Sequence, residues 1–135
     1  MNSPFGNDGG ASRRAAVEAL YTAGFRLQAE ESYREASALF RAMVQAAPTD
    51  ERGWLALGHC HERLGQLRIA LELYSAGSIA AEPAPRCLLS RFRALYDLNR
   101  TSDADDAFDK ALHVANARED AALVTLIENE RVARP

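Results

Sequence analysis

The sequence predicts an all-α solenoid: three helix-turn-helix repeats closed by a C-terminal capping helix. Three observations predict it. Residues of the same type recur at an interval of 34. Alanine supplies 26 of the 135 residues while aromatics supply only 7%, and alanine loses no side-chain entropy in a helix. Apolar residues follow spacings of three and four along most of the chain, no stretch alternates as a strand would, and the breaks are short enough to pack neighbours antiparallel.

Residues 1–12 contain Pro4, Gly6, Gly9 and Gly10 and read as a flexible N-terminal tail. The single domain then runs over 13–135, with Ser12 placed to cap a helix starting at Arg13. Val17, Leu20, Tyr21, Gly24 and Phe25 share one face of that helix. A second helix is expected from Tyr33 to Ala46 and is broken by Pro48, Thr49 and Asp50. A third covers about 51–64 with Trp54, Leu57, Gly58 and His61 in its stripe, and Gly65 marks its end. The fourth covers about 67–80, and Pro83 and Pro85 bracket the next break. Helices at about 86–98, 102–115 and 118–132 complete the chain, the last with Glu119 and Asp120 in its first turn.

The recurrence sets the register. Ala36, Ala70 and Ala104 stand 34 apart, as do Phe40, Tyr74 and Phe108, and Met43, Gly77 and Ala111. Upstream, Leu20, Trp54 and Leu88 match, and so do Leu27, His61 and Leu95. Gly24 and Gly58 match, but Phe92 holds the third place. The pattern resembles the tetratricopeptide repeat, a 34-residue helix-turn-helix. Its units here are about 17–50, 51–84 and 85–118, with a capping helix at about 118–132. Small residues at the eighth and twentieth places let paired helices approach, and bulky ones fill the gaps. The third unit departs from the pattern in its front half, where Arg91 and Phe92 replace Leu-Gly. A final helix over an exposed apolar face is what a solenoid requires.

Composition narrows the function. Net charge is −3, so a nucleic-acid partner is not expected. No apolar run approaches the ~18 residues that would span a bilayer, and no charged start followed by an apolar stretch reads as a secretory signal. Cys60 and Cys87 do not form a C-x-x-C pair and read as reduced cysteines of a cytosolic protein.

Stacked repeats of this kind curve, and their first helices line a concave groove. The register places Tyr21, Phe25 and Gln28 on it from the first unit, Arg52, Leu55, His59 and Glu62 from the second, and Arg86, Leu89, Arg93 and Tyr96 from the third. Apolar and aromatic residues rimmed by arginines suggest a peptide-binding site. Anchors entering pockets near Tyr21, Phe25, Leu55 and Leu89 would contribute ~1.5–3 kcal/mol per fully buried large side chain. Arg52, Arg86 and Arg93 would bond carbonyls or acidic residues of the peptide. The groove offers no lysine or asparagine to clamp a C-terminal carboxylate. His59, Cys60, His61 and Glu62 resemble a ligand cluster only on paper, because consecutive helical residues point about 100° apart and zinc wants about four ligands. No catalytic motif, metal or cofactor is expected.

A closer resemblance rests on Leu20-Tyr21-Thr22-Ala23-Gly24-Phe25, Trp54-Leu55-Ala56-Leu57-Gly58-His59-Cys60, Gly65-Gln66, Tyr74-Ser75-Ala76-Gly77, Glu82-Pro83 and Pro85-Arg86. Together these are similar to the class II chaperones of bacterial type III secretion systems, across about residues 17–115. The resemblance implies a cytoplasmic, non-enzymatic chaperone. Such a protein keeps hydrophobic translocator proteins soluble before export by holding an extended client segment in the groove. Tyr21 and Phe25 carry over as groove residues, with Leu55 beside them, and Gln28 stands where the family often has tyrosine. The family also implies a homodimer through N-terminal helical segments and, in some members, a transcriptional activator as a further partner, with no stable insertion into membranes. The alternative is a repeat adaptor joining two cytosolic proteins, unrelated to secretion.

Overall fold

The computed structural model describes residues 6–135, with side chains from residue 9 onward. These residues form seven helices and no strand: α1 (Gly6–Ala29), α2 (Tyr33–Ala46), α3 (Glu51–Arg63), α4 (Leu67–Ala80), α5 (Pro85–Asp97), α6 (Thr101–Ala117) and α7 (Ala121–Ala133). Three antiparallel pairs stack in order and α7 closes the end.

The start of α1 differs from expectation. Residues 1–5 of the expected tail lie outside the described residues, but Gly6–Ser12 are the first turns of α1 rather than a loop. Lengthening an existing helix adds a hydrogen bond for each residue fixed and avoids the cost of nucleation. Gly9 and Gly10, each about 1 kcal/mol less favourable than alanine, weaken these turns without stopping them. Ser12 is therefore inside the helix, and Gly9–Ala16 are exposed on every side.

The small residues do what the register asks of them. Ala36, Ala70 and Ala104 are fully buried where the paired helices touch. A Cβ on Gly24 would sit 2.6 Å from the Phe40 ring, and one on Gly58 only 2.2 Å from the Tyr74 ring. In the third pair Phe92 fills the glycine's place, wholly buried, with its ring centroid 5.5 Å from that of Phe108.

The turns inside the repeats also keep the period. Glu31, Gly65 and Asn99 are all left-handed, with φ of 62°, 77° and 62°. After each, a backbone N–H reaches back five residues: Ser32 to Leu27 at 2.8 Å, Gln66 to His61 at 2.8 Å and Arg100 to Leu95 at 2.9 Å. This is the Schellman closure of a helix end. Only Gly65 takes it without a Cβ penalty.

One core cluster, with Val17, Phe40, Met43, Leu57 and Cys60, joins the first two pairs. A larger one runs from Leu71 and Tyr74 through Leu89, Phe92 and Leu95 to Leu123 and Ile127 of α7. Glu119 and Asp120 stand before α7, not within it. Glu119 is left-handed, and Asp120 accepts from the Leu123 N–H at 3.0 Å as the N-cap. Among the described residues no helix is long and apolar enough to cross a membrane.

Candidate functional site

Helices α1, α3 and α5 converge on a cavity of about 390 Å³. From α1 come Tyr21, Phe25 and Gln28, one helical turn apart along one face. From α3 come Arg52, Leu55, Ala56 and His59, and from α5 comes Arg86. Seven of these were expected from the register. Ala56 was not, because alanine carries no signal that separates a wall from a packing contact.

The aromatic wall is graded in exposure. Tyr21 is half-buried, with its ring centroid 6.3 Å from the buried Phe40 and 6.2 Å from Phe25. Phe25 is 58% exposed. An aromatic this open, beside a second one and a half-buried Leu55, leaves apolar surface exposed to water on the cavity wall.

Arg52 is tied down. Its Nη2 lies 2.6 Å from Glu18 and 2.8 Å from Asp50, and its guanidinium carbon sits 4.5 Å from the centre of the Tyr21 ring. Hydrogen bonding to Arg52 holds both carboxyls below their usual range. Asp50 also caps α3, accepting from the Arg52 N–H at 3.1 Å. Its place just ahead of a helix was the signal for this role.

The far end of the expected groove is occupied by the chain itself. Leu89 is 3% exposed and belongs to the core, so it offers no pocket to a peptide. The single helix α7 packs against the third pair and closes the core there. Arg93 bonds Glu130 at 2.5 Å, and Tyr96 Oη donates to the Pro135 backbone oxygen at 2.6 Å. Glu62 accepts from the buried Tyr74 hydroxyl at 2.9 Å, a structural bond. The open cavity is thus confined to the first two repeats and the start of the third.

The 59–62 run points three ways, as helical geometry requires. His59 is exposed on the cavity wall, and Cys60 is fully buried, its thiol pushed up to about 11 by that burial. His61 Nδ1 lies 2.7 Å from Gln66 Oε1. Among the described residues no three His, Cys, Asp or Glu side chains converge as a metal site would need. A larger cavity of about 600 Å³ lies elsewhere, between α4, α5 and α6. Its rim mixes Glu82 and Asp109 with Arg91 and Lys110, and none of the expected groove residues lines it.

No family model matches the sequence. Among curated proteins, the low calcium response locus protein H of Yersinia pestis is 32% identical over 82 residues, covering 56% of this chain and 49% of the relative. The match therefore spans about half the length of that relative. Among solved structures, the type III secretion translocator chaperone SycD of Yersinia enterocolitica superposes with a TM-score of 0.76 at 26% identity, covering 87% of this chain and 88% of SycD. A type III secretion complex from Aeromonas hydrophila gives 0.74 at 30% identity, covering 84% and 77%. The chain belongs to the translocator chaperones of type III secretion. A further member of that chaperone group, PcrH of Pseudomonas aeruginosa, was solved with the chaperone-binding region of PopB. It gives 0.75 at 27% identity, covering 84% of this chain and 92% of PcrH. These structures share the overall helical fold of the present chain.

Proposed function

We propose that this chain binds hydrophobic translocator proteins of a type III secretion system in the bacterial cytoplasm. It keeps them soluble by holding an extended client segment in the cavity between α1, α3 and α5. One observation carries this reading: Phe25 stands open beside Tyr21 and Leu55 on the inner face. Burying such surface under a client stabilises the complex by ~25 cal/mol per Å² of apolar area removed from water. The PcrH complex with a region of PopB supports the reading by family membership. No reaction is involved, only capture and release.

Co-expression with the translocator genes of the same locus tests it. A translocator should co-purify with the wild-type chain, and Phe25→Ala should weaken that capture at least about tenfold, equivalent to 1.4 kcal/mol. Phe25 is largely exposed, so the variant should keep its melting temperature. Undiminished capture by a folded Phe25→Ala would sink the groove assignment.

A further inference from the structure

We propose that the cavity selects a client segment with an acidic side chain next to its apolar anchor, and that Arg86 reads that acid. This rests on the groove reading above and narrows it. The sequence offers three groove arginines, and the structure removes two of them. Arg52 is held by Glu18 and Asp50 and sits over the Tyr21 ring. Arg93 is held by Glu130, which also bonds Arg134. Their charges are matched within the chain, and recruiting either would break an existing pair.

Arg86 differs. It is exposed at the cavity edge, and among the described residues its guanidinium has no carboxylate within ion-pair distance. Glu51 acts on it through space. However, Glu51 Oε2 is already committed to the backbone N–H groups of Arg86 and Cys87, at 3.2 and 3.3 Å. Arg86 also stands in the first turn of α5, where the helix field favours an added negative charge. No carboxylate lines the cavity. An apolar cavity whose one unmatched charge is a guanidinium complements a leucine-like anchor followed by aspartate or glutamate.

The test uses short acetylated, amidated peptides. Each carries two leucines on a serine background, with glutamate, glutamine or lysine placed at every other position in turn. Affinity is read by fluorescence anisotropy against the full chain. At a position beside a leucine, glutamate should bind about fivefold tighter than glutamine, as expected of a partly exposed ion pair. Arg86→Gln should erase that ratio, Arg86→Lys should keep part of it, and Arg86→Glu should make lysine the preferred residue. A glutamate preference that survives in Arg86→Gln, or no preference at any position, overturns the inference. If the leucine peptides bind without charge preference, the groove reading stands alone. If none binds, both fall.

Discussion

The second and third repeats solve the same packing problem in opposite ways. In the second, Gly58 leaves a gap that the Tyr74 ring enters, so α3 and α4 close tightly. In the third, Phe92 fills the gap from the other helix, and Phe108 is left half-buried. The inner faces differ in parallel. The second repeat leaves Leu55 and His59 on an open wall, while the third has its Leu89 sealed in the core and its Arg93 and Tyr96 bonded to the C-terminal segment. Arg131 stacks over both Phe92 and Phe108, at 5.9 and 5.1 Å from the ring centres. The repeat that keeps the small residue keeps an open inner wall. One that loses it becomes the seat of the chain's own cap.

Three substitutions break or sharpen this contrast. The largest effect should come from Phe92→Ala, which empties the volume shared with Phe108. A loss of about 3–5 kcal/mol in urea unfolding is expected. A loss under about 1 kcal/mol would mean that Phe92 is not the third repeat's substitute for the glycine pocket. Gly58→Ala comes next. Its new methyl would meet a ring that is itself 2% exposed and bonded to Glu62, so neither side can yield. Overpacking of this kind costs about 1–3 kcal/mol. The double variant with Tyr74→Leu should recover part of it, and strictly additive losses would contradict the contact. The smallest effect is a gain. Glu31 holds a left-handed turn that Gly65 holds freely one repeat later. Glu31→Gly should raise stability by about 0.5–1 kcal/mol, the strain relieved less the entropy glycine adds to the unfolded chain. Thermal melts at neutral pH would show it, and a lower melting temperature would refute the strain.

The period carried most of the fold into view. Helices α2 and α4 begin and end where breakers and spacing placed them, and the near half of the cavity follows from the positions of Tyr21, Phe25, Leu55 and His59. What stayed hidden was non-local. Leu89 has the same register position as Leu55, yet it is sealed in a core cluster that extends from α4 to α7, while Leu55 stays half-buried on the cavity wall. Arg52 and Arg93 look alike in sequence, yet their partners Glu18 and Glu130 come from helices that stacking brings together. The first turns of α1 were missed for a different reason. Glycine lowers helix propensity by degree, and local composition could not show that the helix behind it would carry the extension.

Glu51 has a consequence for how the molecule comes apart. It belongs to α3, yet it supplies the acceptor that the start of α5 lacks, since the methyl group of Ala84 at the N-cap cannot accept a hydrogen bond. Removing the third repeat would therefore strip a half-buried carboxylate of both its donors as well as exposing apolar surface. The seam between the second and third repeats is thus held by a polar joint as well as by apolar contact.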